Sequence, residues 1–255
     1  MAKFAQERAD AMGTSHSSHD RSLGDYIFNP KVWNEDARRK LIEKLDRENP
    51  HVVLITNTSP SHPYAIRIAD TVRELSPNSL VFIGGPHEDE TMKGATSGPL
   101  FMPGSTLRDI REGRINPSFD FVFSGDGDYV VSTFMQLVGE IVIENPNASR
   151  EKIKESMIKR MRAIPEFFSS LPGTGIVATL TEDNEVVSVS LSGSRIDLGK
   201  LPFIYRYFPN LSRFDVFKKS DASLKKTAHL MTSRGCPNTC LFCSESRQVV
   251  GKPAR

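Results

Sequence analysis

The three cysteines of this 255-residue chain all fall between positions 236 and 243. Cys236, Cys240 and Cys243 stand at C-x3-C-x2-C spacing in Thr-Ser-Arg-Gly-Cys-Pro-Asn-Thr-Cys-Leu-Phe-Cys, with Phe242 directly before the last thiol. Thiolates are soft ligands suited to iron–sulfur clusters or zinc. Three of them hold three irons of a four-iron cluster and leave the fourth iron open, and an open coordination site is where chemistry occurs. A structural zinc site wants four ligands. The fourth would have to come from a distant residue such as His229, outside the usual tight spacing. An odd number of closely spaced cysteines does not make a disulfide framework and fits reduced thiolates, hence a cytoplasmic setting.

A second group of candidates follows apolar runs. Thr56 ends the run 52–56, Gly84, Gly85 and His87 follow the run 80–83, and Gly125, Asp126 and Gly127 follow the run 119–123. Glycines there permit backbone angles closed to other residues and let a flat ligand approach the main chain, or simply make tight turns. His87 reads as a polar contact to such a ligand or as a loop histidine. Asp126 and Asp128 also suit a helix start, where negative charge is favoured. No residue is singled out as catalytic.

The elements that must position these residues alternate. Residues 25–28 suggest a short strand. Residues 35–48 suggest a helix with Leu41, Ile42 and Leu45 on one face. The continuous apolar run 52–56 predicts a strand buried on both faces. Residues 63–75 predict a helix with an apolar stripe, and 128–140 another. Such alternation argues for a parallel sheet covered by helices, with ligands beyond the carboxyl ends of its strands. The binding loops are then 56–62, 84–88 and 124–128. Residues 94–105 read as a Gly/Pro-rich loop, 146–163 as a charged helix able to bridge domains, and 176–180 with 186–190 as a β-hairpin. Residues 191–225 read as irregular linker.

Composition is that of a globular chain, 38% hydrophobic and 25% charged. No apolar run approaches the roughly 20 residues that span a bilayer. The polar lead 1–24 lacks the apolar core of a secretory signal and reads as disordered. Residues 211–255 hold nine Lys/Arg against three Asp/Glu, a local +6 in a chain of net +2, which leaves −4 for the other 210 residues. Without an Arg-rich run or interleaved aromatics, this basic end reads as a solvated face rather than a nucleic-acid groove.

The segment Cys236-x3-Cys240-x-Phe242-Cys243 resembles the signature of radical S-adenosylmethionine enzymes. The resemblance implies a [4Fe-4S] cluster on the three cysteines and S-adenosylmethionine on the open iron. It also implies a 5′-deoxyadenosyl radical as the reactive product, and Phe242 near the adenine. A reductant such as flavodoxin or ferredoxin is the implied partner. Upstream, Gly84-Gly85-Pro86-His87 and Gly125-Asp126-Gly127-Asp128 are similar to the "GGPH" and "GEGE"-like turns of the cobalamin (B12)-binding domain that precedes many such enzymes. This implies cobalamin near Thr56, Gly84, Gly85, His87, Gly125, Asp126 and Gly127, and methyl transfer as a reaction. The cobalt-ligating Asp-x-His-x-x-Gly motif is absent from the chain.

The expected architecture is therefore α/β. A doubly wound, Rossmann-like parallel sheet (25–145) follows the lead (1–24). Next come a helix, β-hairpin and linker (146–225), then the first strand and cluster loop of a (β/α) barrel (226–255). With 12 residues after Cys243, against the roughly 200 of a barrel, the expectation is an incomplete barrel, finished elsewhere or by a second chain. The alternative is a non-catalytic cobalamin- or flavodoxin-like binding module with a cysteine tail. A methylthiotransferase would be expected to carry further cysteines upstream, and none precede Cys236.

Overall fold

A computed structural model of the chain describes residues 35–95, 98–194 and 196–201. The readings of 1–24 and 25–28 lie outside the described residues. So do those of the linker beyond 201, of His229 and of the cysteine loop with Phe242.

Helix α1 (Glu35–Glu48) leads into strand β1 (Val52–Thr56). A short 3-10 turn (Ser59–Ser61) and helix α2 (His62–Leu75) carry the chain back to strand β2 (Leu80–Gly84). Helix α3 (Pro86–Thr91), strands β3 (Met92–Ala95) and β4 (Gly98–Phe101) and helix α4 (Thr106–Arg111) follow. Strand β5 (Phe121–Gly125) then enters helix α5 (Gly127–Glu144). Helices α6 (Arg150–Ala163) and α7 (Pro165–Ser170) lead to strands β6 (Gly175–Leu180) and β7 (Val186–Ser190).

The main sheet has the order β1-β2-β5-β6-β7. β1, β2 and β5 are parallel, and β6 and β7 extend the sheet antiparallel. This mixed α/β arrangement is compatible with a Rossmann-like fold. Period-2 alternation sends side chains to two cores. Val81, Ile83, Val122, Ile176 and Ala178 face one, with Leu45 of α1, Ala65, Ala69 and Val72 of α2 and Leu107 of α4. Leu80, Phe82, Phe121, Phe123 and Val177 face the other, under α5, α6 and α7. In that second core Phe134 of α5 lies between 5.1 and 6.3 Å from Phe82, Phe121, Phe123 and Phe168. Edge-to-face rings of this kind contribute beyond their buried area.

Three expectations are corrected. The apolar run at β1 is not a doubly buried strand: among the described residues β1 is the sheet edge, and Leu54 is 54% exposed. Residues 94–105 are not one long loop, because β3 and β4 pair antiparallel from Met92↔Phe101 to Ala95↔Gly98. Met92 anchors that hairpin in the core, and Met102 N donates to Thr91 O at 2.8 Å. The charged segment 146–163 yields α6, which is no bare bridge, since Ile153, Met157, Ile158 and Met161 bury its apolar face in the second core.

Ser149 caps α6 by accepting from Lys152 N. Ser149→Ala should therefore cost about 1 kcal/mol in a urea melt.

At the amino-terminal end of the parallel strands, Asp120 is fully buried among cations. Its Oδ2 accepts from Arg73 Nη2 at 2.9 Å and from Val81 N at 2.8 Å. Its Oδ1 lies 3.2 Å from Arg150 Nε and 4.0 Å from Lys154 Nζ. Arg73 also donates to Ser79 O and Ser118 O, which ties β2 to the lead into β5.

Candidate functional site

The parallel register Thr56↔Gly84 and the Phe82↔Phe121 pairing bring the ends of β1, β2 and β5 to one rim. The three loops named from sequence therefore meet, as the α/β alternation requires.

Thr56 is exposed at the end of β1. Gly84 packs flat on β5: a Cβ there would lie 3.2 Å from Phe123 O. Gly85 precedes α3 at φ +107°, and a Cβ on it would stand 2.7 Å from both Asn57 O and Thr56 Oγ1. Gly125 has φ +91°, and its Cβ would lie 2.1 Å from Thr174 O. Opposite it, Gly175 would meet Ser124 O at 2.0 Å. Glycine is needed at Gly85, Gly125 and Gly175 because the protein's own backbone occupies the space a side chain would take. Asp126 stands at the N-cap position of α5 without a side-chain cap hydrogen bond, and its side chain is instead tied across the rim. Its N–H donates to Thr174 O at 2.7 Å, and its Oδ2 accepts from Thr174 N at 3.1 Å and Thr174 Oγ1 at 3.0 Å. Gly127 opens α5 with Val131 as its near neighbour.

His87 is corrected most. It is not a loop residue open to a ligand or to water, because it lies in α3 and is buried. Its Nε2 is 3.0 Å from Gly104 O and its Nδ1 3.1 Å from Ser59 Oγ, so both ring nitrogens are used inside the protein. Its ring stacks on His62 with centroids 3.9 Å apart and planes at 22°.

His62, Glu88 and Asn57 complete a buried polar cluster that single-residue reading passes over. His62 opens α2 and Glu88 follows His87 in α3. Asn57 Nδ2 is 2.8 Å from His62 Nδ1. Thr106 Oγ1 donates to Glu88 Oε1 at 2.7 Å. Glu88 Oε2, His62 Nε2, Asn57 Oδ1 and Ser105 Oγ are buried without a hydrogen-bond partner. Burial dominates the electrostatics. It pushes the Glu88 carboxyl up to about 7, against the Thr106 hydrogen bond that favours ionisation. It pulls His62 down to about 4, helped by His87 and opposed by Asp109. His87 is also lowered by burial, with the Gly104 carbonyl and Glu90 acting the other way.

The next residue, Asp89, reaches β5, where its Oδ1 accepts from Gly125 N at 2.6 Å. Burial raises its pKa and that hydrogen bond lowers it. His62 and His87 are 25 positions apart. Only the register of β1 on β2 brings them together, so the clue in the sequence was the shared position of their two loops at strand ends.

Among the described residues no helix is long and apolar enough to cross a membrane. No protein-family model matches the chain. Nor does any solved structure match it. Over 231 residues, 90% of this chain, it is 26% identical to an uncharacterized methyltransferase of Pyrococcus horikoshii, covering 38% of that protein. Over the same length it is 24% identical to the anaerobic magnesium-protoporphyrin IX monomethyl ester cyclase of Synechocystis sp., covering 35% of that protein. The chain thus spans little more than a third of the curated relatives it matches, and it is loosely similar to enzymes named as a methyltransferase and as an anaerobic cyclase.

Proposed function

We propose that this chain belongs to a radical S-adenosylmethionine enzyme in which an α/β domain precedes the cluster loop. Cys236, Cys240 and Cys243 are the ligands for three irons of a [4Fe-4S] cluster, and Phe242 lies beside the adenine of S-adenosylmethionine. The observation that carries this reading is the C-x3-C-x2-C set of three cysteines, which would leave one iron of a four-iron cluster open. The relatives' names agree with it: one is a methyltransferase, and the other works anaerobically, as suits an oxygen-sensitive centre. When bound, such a cluster supplies the electron that splits S-adenosylmethionine for radical chemistry, here including methyl transfer. An electron donor such as flavodoxin or ferredoxin is the partner it requires.

Cobalamin at the carboxyl-end rim of the sheet is the second part of this reading. Its support is the order of the strand-end motifs before the cysteine loop and the convergence of those ends. Gly85, Gly125 and His87 give it no support, because the chain itself fills the space at the two glycines and the ring nitrogens of His87 are engaged internally.

Anaerobic reconstitution with iron and sulfide tests the central claim. The expected result is a brown protein with broad visible absorption and four irons per chain, about the stoichiometry of one cubane. Cys236→Ala, Cys240→Ala and Cys243→Ala should each abolish the colour. A colourless protein that instead holds zinc through these cysteines, with that zinc lost in the same variants, overturns the reading. Corrinoid binding, followed by the cobalamin spectrum on gel filtration, tests the second part separately.

A further inference from the structure

We propose that His62, His87 and Glu88 form a binding site for a divalent transition-metal ion of the zinc class, distinct from the cysteine loop. One donor atom from each of the three residues lies within 4.8 Å of the other two, and all three residues are buried. They come from two elements held by the core, α2 and α3, rather than from loose surface segments.

The second observation is the set of atoms left without partners. Glu88 Oε2, His62 Nε2, Asn57 Oδ1 and Ser105 Oγ are all buried and all lack a hydrogen bond. Buried polar atoms are nearly always paired, and leaving one unmade costs about 1–3 kcal/mol. Turning the Asn57 amide satisfies its Oδ1 internally, which leaves Glu88 Oε2 and His62 Nε2 as the facing open donor atoms of the cluster. Among the described residues no lysine or arginine pairs with Glu88, whose side chain is fully buried. A buried carboxyl either stays neutral, as burial favours for Glu88 in the metal-free protein, or ionises beside a cation or a metal. Water would satisfy hydrogen bonds but bring no charge. Two imidazoles and a carboxylate are the donor set of zinc and its neighbours rather than of calcium or magnesium, which take oxygen ligands.

The stacked rings set the order in which ligands are recruited. With planes 22° apart and centroids 3.9 Å apart, a cation in the plane of His62 lies off the plane of His87. His62 Nε2 and Glu88 Oε2, the free atoms, are therefore the first two ligands. His87 joins by turning its ring away from Gly104 O or Ser59 Oγ. A half-turn of the Asn57 amide would place Oδ1 opposite His62 Nδ1. His62 would then donate Nδ1–H to that oxygen and present Nε2 as a lone pair. A ligating histidine normally has such a partner on its other nitrogen, which fixes the tautomer.

The test uses the full, tag-free chain with Cys236→Ser, Cys240→Ser and Cys243→Ser combined, so that no thiolate competes. After chelator treatment the protein is titrated with zinc by calorimetry and with cobalt(II) by absorption. One equivalent of zinc should bind and raise the melting temperature, and cobalt should give weak visible bands without a sulfur charge-transfer band. Glu88→Gln keeps the acceptor for Thr106 and should fold. It and His62→Ala should each weaken zinc binding at least ~10-fold, the lower end of what even an outer partner of a metal site contributes. No zinc uptake by the triple-serine protein overturns the proposal. So does uptake of equal affinity in a folded Glu88→Gln variant.

Discussion

Asp120→Ala should lower the unfolding free energy by about 3–5 kcal/mol, the usual loss when one member of a buried ion pair is removed. The carboxylate is fully buried, and Arg73, Arg150 and Lys154 converge on it. Without it three cations share a half-buried pocket with no anion at its centre, and Val81 N loses its acceptor. Burial already lowers the pKa of Lys154, with Asp120 the main opposing influence, so removing Asp120 lowers it further. Asp120→Asn keeps an acceptor for Val81 N and should lose less than alanine. Urea melts of the three proteins at neutral pH check the order, and an alanine variant within about 1 kcal/mol of the parent would contradict it.

Glu88→Gln should stabilise the metal-free protein above neutral pH. Burial lifts the Glu88 pKa from 4.5 to about 7 in the folded state. A group raised on folding contributes fully below its unfolded pKa, and that contribution is lost as pH rises towards the folded value. Each pKa unit is worth about 1.4 kcal/mol, so the loss is roughly 3 kcal/mol by pH 8. Glutamine does not titrate and carries no charge to bury. The stability difference between variant and parent should therefore grow by about 2–3 kcal/mol between pH 5 and pH 8 in chelator-treated samples. His62, whose pKa is depressed to about 4, acts with opposite pH dependence. Its neutral form is favoured on folding, so its stabilising contribution fades as pH falls from its unfolded value of 6.5. It is present in both proteins and cancels from the comparison. A flat difference across this range would show that Glu88 reaches solvent.

The alternation of strands and helices was legible where a strand is a continuous apolar run, as at β1, β2 and β5, and a helix shows a stripe, as at α1 and α2. Leu80 to Ile83 and Phe121 to Phe123 are as buried as such runs suggest. The same rule misled at Val52 to Thr56, since an apolar run does not say how many neighbours a strand has. Gly94, Pro99 and their neighbours are poor strand formers, so β3 and β4 were hidden. They pair because Met92 is held in the core, a tertiary cause that local composition does not record. The strand-end glycines stood out by position, while their reason lay in chain segments far away in sequence, such as Thr174 against Gly125. The buried cluster was illegible for the same reason, because His62 and Glu88 are neighbours only after β1 pairs with β2.

Helix α3 is six residues long, yet three successive side chains in it leave in three directions. His87 reaches Ser59 and Gly104, Glu88 reaches Thr106, and Asp89 reaches the Gly125 amide. The targets lie in three segments over the top of the sheet: Ser59 between β1 and α2, Gly104 and Thr106 where the chain enters α4, and Gly125 at the end of β5. Those three segments are therefore geared together through one short rod. A probe placed on any one of them, such as a fluorophore at Thr58 or a spin label at Met102, should report an event at either of the others.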